Sequence, residues 1–211
     1  MDHPNNNNLS DFTLFLKKNR HSHIDKQQMG EFIMGNLLFS PSGRIGPNAF
    51  LKGMMILAII GAVISLIGLV SFQASQILGY ISFLLIIPLF FLLVKRSHDA
   101  GRSGWMSIVW FIVFMVIYII AYMIMTSLMP SAANAEMTLI VEELAADGAG
   151  FGEIIQKSGE LAKEYGPQIA KEVAIPAALA GLIGTAIAAF LINVLNKQEP
   201  NDNRFGPYAG G

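Results

Sequence analysis

Four stretches of the chain hold no charged residue and no histidine: Gly53 to Phe72, Ile77 to Val94, Trp105 to Met129, and Ala174 to Leu195. A helix rises 1.5 Å per residue, so a hydrocarbon core of about 30 Å needs roughly 20 apolar residues, and each stretch is long enough to cross. Buried helices of water-soluble domains keep a polar face over such lengths. The pattern therefore predicts an all-α membrane protein with four transmembrane helices. The first two stretches are separated only by Gln73-Ala74-Ser75-Gln76. One helix from Gly53 to Val94 would be about 60 Å long, twice the hydrocarbon thickness. The chain must turn, and this polar tetrad is the expected place.

The polar regions divide the rest. Residues 1–38 form an N-terminal extension with the tract Asn5-Asn6-Asn7-Asn8. A weak helix from Leu9 through Asn36 has two readings: an interfacial anchor, with Phe12, Phe15 and Leu16 beside Lys17, Lys18 and Arg20, or a flexible tail. Residues 39–211 form the membrane domain, with a helical insertion at 131–173 and a tail at 196–211. Within the insertion, one helix is expected over Ala132 to Ala146, broken by Gly148, Gly150 and Gly152. A second is expected from Glu153 to Tyr165, with Gly166-Pro167 restarting the chain toward the fourth span. In that span Ala177, Gly181, Thr185 and Ala189 recur every four residues, beside a parallel row of Ala180, Gly184 and Ala188. Small residues let helices approach closely in lipid, so this span packs against the others or against a second copy of the chain. Pro88 and Pro176 mark kinks or caps.

Composition narrows the classes. Hydrophobic residues make up 53% without counting 20 glycines, and charged residues 14%, against about 25% in average soluble domains. A disordered chain is excluded. The absence of cysteine removes disulfide scaffolds, thiolate catalysis and Cys-ligated metals, and a net charge of −1 argues against a nucleic-acid binder. The charges also sort by side. Eleven of the 14 lysines and arginines flank the spans on one side, whereas the insertion holds eight acids against Lys157, Lys163 and Lys171. By the positive-inside rule both termini are cytoplasmic, the insertion is external, and the first span stays as a signal anchor.

Candidate chemistry is sparse. Transporters coupled to ions or protons place an ionisable group inside the membrane, and the four stretches hold none. Phosphate-binding, nucleophile-elbow and zinc-protease motifs are absent, so no catalytic residue, cofactor site or metal site is assigned, and His21 and His23 read as solvated. The dense constellation is the loop Lys95-Arg96-Ser97-His98-Asp99-Ala100-Gly101-Arg102-Ser103-Gly104-Trp105. Its glycines permit a tight reversal, Ser103 is placed to cap the third span, and Trp105 suits the interface. His98 and Asp99 could serve as a base and its orienter. The structural alternative has Arg96 and Arg102 at lipid headgroups, with His98 and Asp99 bonded to local backbone.

This loop resembles the Arg-x-His-Asp-x-Gly-x-Ser-Gly-Trp run of the domain of unknown function 805 family of small bacterial inner-membrane proteins. Phe39-Ser-Pro-Ser-Gly43-Arg44 with Phe50 is similar to the family's element before the first span, and Asn203-Arg204-Phe205-Gly206-Pro207 to its closing element. The second arginine that the family often carries after Gly-Arg is absent here, a second tryptophan is Met106, and the long acidic insertion and N-terminal extension are additional. The resemblance implies an inner-membrane location and no established activity. All three motifs lie at span ends on the basic side. We expect them to fold into one cap, with Gly43-Arg44 and Asn203-Arg204-Phe205-Gly206 around His98-Asp99 and with Arg96, Gly101, Ser103, Gly104 and Trp105 in the same loop. The expected function is non-enzymatic: the cap stabilises the bundle and meets membrane lipids or a protein partner, and 131–173 is a further docking surface. The alternative is a membrane enzyme or small-solute transporter using His98 and Asp99.

Overall fold

The computed structural model describes residues 37–209. Two compact units divide between Ser40 and Pro41, two residues beyond the boundary expected at 38. Of the first, residues 37–39 are helical; the expected helix over Leu9 to Asn36, with His21 and His23, lies outside the described residues.

The second unit is built of six α-helices: α1 (Pro47–Leu66), α2 (Phe72–Ser82), α3 (Ile86–Asp99), α4 (Met106–Leu128), α5 (Ala132–Ala146) and α6 (Phe151–Leu195). Short 3-10 turns at Ile67–Leu69 and Phe83–Leu85 extend α1 and join α2 to α3. Among the described residues, four helical runs are long and apolar enough to cross a membrane: Pro47–Leu69, Phe72–Asp99, Met106–Leu128 and Phe151–Leu195.

The first reversal is not at the polar tetrad. The chain turns at Val70 and Ser71, and the Ser71 hydroxyl accepts from the Ala74 amide at 3.2 Å, capping α2. Gln73 to Gln76 are the first turn of that helix, as a tetrad without glycine or proline permits. Gly68 lies just before the turn: a Cβ there would stand 2.8 Å from the Ala170 carbonyl oxygen, so the chain end of α1 lies directly on α6. Between α2 and α3, Pro88 has no amide to give the Leu84 carbonyl, and the helix tightens to a 3-10 turn at that carbonyl.

The expected restart at Gly166-Pro167 does not occur either. α6 runs unbroken through Pro167 and Pro176 for 45 residues, about 67 Å. Gly166 is instead a contact: a Cβ there would meet the Phe72 ring at 2.7 Å. Residues 151–173 of α6 pair with α5 as an antiparallel helical hairpin turned at Gly148, whose φ is +85°. The apolar half, from Ala174 on, packs along α1 and α4.

Packing of that half follows the parallel small-residue row. Ala180 and Ala188 are fully buried, and a Cβ on Gly184 would stand 3.1 Å from the Ala121 Cβ. The other row divides. Thr185 and Ala189 are buried, but a Cβ on Gly181 would meet nothing within 4 Å. Gly181 therefore does not hold the helices together, because it faces a cavity rather than a neighbour. The approach at Gly184 is made within the chain, to α4.

Candidate functional site

The site begins with how α3 ends. Gly101, at φ +68°, terminates the helix in the left-handed conformation; its amide donates to His98 O at 3.0 Å and the Arg102 amide to Ser97 O at 3.0 Å. This is the glycine-closed helix end that satisfies the last carbonyls. The carbonyl of Asp99 turns outward to accept the Glu199 amide at 2.9 Å, which ties the tail after α6 to the end of α3. A Cβ at Gly101 would lie 2.6 Å from Glu199 Oε2, so the tail occupies the space that glycine leaves.

The tail then folds on itself. Asn203 and Gly206 exchange backbone hydrogen bonds at 3.1 and 3.0 Å, and Asn203 Oδ1 accepts from the Phe205 amide at 2.9 Å, a side-chain turn that asparagine makes readily. Asn203 Nδ2 donates to His98 O at 3.0 Å and to Glu199 Oε2 at 2.7 Å. Phe205 stacks on the His98 imidazole, with centroids 3.9 Å apart and ring planes 6° apart. The Arg204 guanidinium lies 4.6 Å from the Phe205 centroid.

Arg44 enters from before α1 and joins both pieces. Nε and Nη2 approach Asp99 Oδ1 at 3.3 and 3.2 Å. Nη2 also donates to the carbonyls of Asp99 and Glu199, and Nη1 to those of Asn201 and Gly206. The Arg44 side chain is 1% exposed. Arg96 is equally buried, pairs with Asp99 Oδ2 through Nη1, and reaches the Asn193 carbonyl through Nη2. Its expected place at the headgroups is therefore corrected: a charge 1% exposed meets no lipid, and the partner that makes burial tolerable is Asp99, one helical turn on. Arg102 is exposed.

Asp99 is thus the shared acceptor. One oxygen takes Arg44 and Gln198 Nε2, at 3.2 Å for the latter; the other takes Arg96. The imidazole of His98 takes a different partner: Nδ1 contacts Gly43 O at 3.2 Å. A carbonyl only accepts, so Nδ1 is the donor in this contact. Among the described residues no hydrogen bond joins His98 to Asp99, so the base-and-orienter pair is not assembled. Nor is there a group of three residues arranged to hold a metal ion.

Of the residues named from the sequence, Gly43, Arg44, Arg96, His98, Asp99, Gly101, Asn203 and Gly206 meet in this cluster. Gly104 borders it, since a Cβ there would sit 3.3 Å from His98 Nε2. Ser103 and Trp105 stand outside. Ser103 contributes its carbonyl to the start of α4, not its side chain, and Trp105 is 79% exposed. Four participants were not foreseen: Gln198, Glu199, Asn201 through its carbonyl, and Asn196, whose Nδ2 donates to Arg96 O at 2.9 Å. Their only sequence signal is a run of polar residues directly after the last span.

Residues 38–137 match the model of a family described as a protein of unknown function, DUF805. No curated protein and no solved structure matches the chain. The matched region contains Arg44 and the whole loop from Lys95 to Trp105, and stops before α6 and the tail that closes the cluster.

Proposed function

On the premise that residues 38–137 make this chain a member of that family of unknown function, we propose a non-enzymatic role in the bacterial inner membrane. Both termini are cytoplasmic, and the cluster around Asp99 is a clasp that fastens the ends of α1, α3 and α6 into one bundle. The observation carrying this reading is the set of partners around Asp99: one carboxylate oxygen takes Arg44 and Gln198 and the other Arg96. Asp99 is engaged by cations and an amide while the imidazole of His98 turns to the Gly43 carbonyl, which supports a structural role over catalysis at His98. Around the clasp, Lys52, Arg102, Lys197 and Arg204 are exposed and meet anionic headgroups on the cytoplasmic face.

At the other end, the acidic hairpin of α5 and α6 is the surface for a protein partner. Phe151 and Ile155, one helical turn apart, are 80% and 55% exposed there, and apolar side chains in a charged surround suit a docking site.

The chain lacks cysteine, so single cysteines report topology cleanly. Tyr208→Cys should react with a membrane-impermeant maleimide only after the cells are opened, and Asp147→Cys in intact cells; the reverse pattern overturns the orientation. For the clasp, His98→Ala and Asp99→Ala should lower the folded amount of protein. Normal folding with loss of a cellular phenotype would favour chemistry at these residues instead. In-cell crosslinking of the wild type and a Phe151→Ser/Ile155→Ser variant tests the hairpin, and an identical set of crosslinked proteins removes it as a docking site.

A further inference from the structure

Glycines in this bundle fall into two groups. Gly53, Gly68, Gly166 and Gly184 lie where a neighbour occupies the position of a Cβ. Gly61, Gly79 and Gly181 have nothing within 4 Å of that position. The second group borders two cavities that share Ser82 and Phe83 in their walls. The inner cavity, about 320 Å³, lies among α1, α3, α4 and the apolar half of α6, alongside Gly61 and Gly181. The outer one, about 710 Å³, lies between α2 and the α5–α6 hairpin, alongside Gly79.

Their chemistry differs with depth. The inner wall is mainly apolar side chains such as Met54, Leu57, Phe111 and Phe114, and its Ser65 hydroxyl is turned to the Gly61 carbonyl at 3.0 Å. The outer wall adds Ser75, Gln76 and Asn134. Ser75 and Ser82 donate their protons to Phe72 O and Gly79 O at 2.7 and 2.6 Å, so lone pairs remain to accept a bond from a ligand. Gln76 and Asn134 carry amides that can donate as well as accept. Neither wall contains a charged side chain, and the hairpin beside the outer cavity carries eight acids against three lysines.

We propose that the two cavities form one binding site for a single bilayer phospholipid, its acyl chain in the inner cavity and a zwitterionic, amine-bearing headgroup in the outer. An apolar cleft among helices long enough to cross a membrane suits a chain, and the outer wall, between α2 and the hairpin, offers hydrogen bonds to a headgroup. The absence of lysine and arginine from the wall, with acids nearby, selects against an anionic headgroup and for one that donates from an ammonium. Pro88 shapes the junction, because the 3-10 turn that it imposes carries Phe83, on the wall common to both cavities. This inference needs only the membrane bundle. It is independent of the roles proposed for the clasp and of which end of the bundle is cytoplasmic.

The test is native mass spectrometry of the full chain released from bilayers of equal phosphatidylethanolamine and phosphatidylglycerol. The wild type should retain one phosphatidylethanolamine in preference to phosphatidylglycerol. Gly181→Leu or Gly61→Leu puts apolar atoms into the space where chain methylenes lie, and should weaken retention by about tenfold or more. Gly159→Leu, whose added atoms also meet open space but on the hairpin, should leave it unchanged. Equal retention of both lipids, or full retention in the two cavity variants, overturns the proposal. Should the leucine variants fail to fold, a phosphatidylethanolamine with a diazirine in its acyl chain provides the second measurement on the wild type. Adducts concentrated between Phe111 and Tyr118 or near Met54 support the site, and adducts spread over the outward faces of α4 overturn it.

Discussion

Arg44 and Asp99, 55 residues apart in the chain, meet with Nε 3.3 Å from Oδ1 and both side chains almost wholly buried. Because Arg96 approaches the same carboxylate, two guanidiniums depend on one acid. Removing that acid leaves two buried cations without a counter-charge, the costly half of a broken buried pair, about 3–5 kcal/mol. Asp99→Asn keeps the shape and should lower the thermal unfolding midpoint in detergent steeply. Arg102→Ala, on an exposed side chain, should stay within about 0.5 kcal/mol of the wild type. Equal midpoints for the two variants would show that the clasp contributes no stability.

The His98–Phe205 stack holds the tail against the end of α3. Stacked rings contribute roughly 0.5–1.5 kcal/mol beyond their burial, enough to raise the population of an open tail about two- to twelvefold. Trypsin should therefore cut after Arg204 faster in Phe205→Ala than in the wild type, while His98→Phe, which preserves a ring to stack on, should stay close to the wild type. Unchanged cleavage in Phe205→Ala would mean that Asn203 and Arg44 fix the tail without the stack.

Gly101 and Gly148 both hold positive φ, +68° and +85°, but only Gly101 also has a neighbour, Glu199 Oε2, within 2.6 Å of a Cβ position. Gly148→Ala should cost only the left-handed backbone penalty, roughly 1–2 kcal/mol. Gly101→Ala should cost more, because Glu199 must move and loosen its bond to Asn203. Circular-dichroism melts of the two variants check the ordering, and a Gly148 variant as damaged as the Gly101 variant would contradict it.

These contrasts also show what the sequence could carry. The four apolar helices were legible because lipid excludes charge, and an uncharged run of 20 residues needs no tertiary information to be noticed. The meeting of Arg44, His98, Asp99 and Asn203 was legible because side sorting of charge put their motifs at one end of the bundle. Element ends were harder, since they depend on neighbours distant in sequence. Gly166-Pro167 reads as a break, yet Gly166 is where Phe72 lies against α6. Gln73 to Gln76 read as a turn, yet Ser71 caps a helix through them. Arg96 and Arg102 each lie three residues from Asp99, and the helix end separates them: Arg96 sits inside α3, buried against Asp99, whereas Arg102 follows the left-handed Gly101 and is exposed.

The base of the hairpin should respond to acid through Glu172. Its carboxylate accepts from the Ser131 hydroxyl at 2.6 Å, the Gln168 amide at 2.9 Å and the Ala133 backbone at 3.1 Å. It thereby closes the first turn of α5, where Ser131 itself accepts from the Asn134 amide. A negative charge at a helix N-terminus is favourable. Glu172 precedes the apolar stretch of α6, and the hydrogen bonds, that from Ser131 foremost, hold its carboxyl below the ordinary value of 4.5. A folded pKa below the unfolded one stabilises the fold at neutral pH, and that contribution is lost as pH falls below 4.5 through the folded value. Hydrogen exchange at the Ala133 amide should therefore accelerate on acidification beyond the intrinsic trend in the wild type. In Glu172→Gln exchange should already be faster at neutral pH and show no such acid step. An acid step that persists in Glu172→Gln would assign the response to another carboxylate of the hairpin.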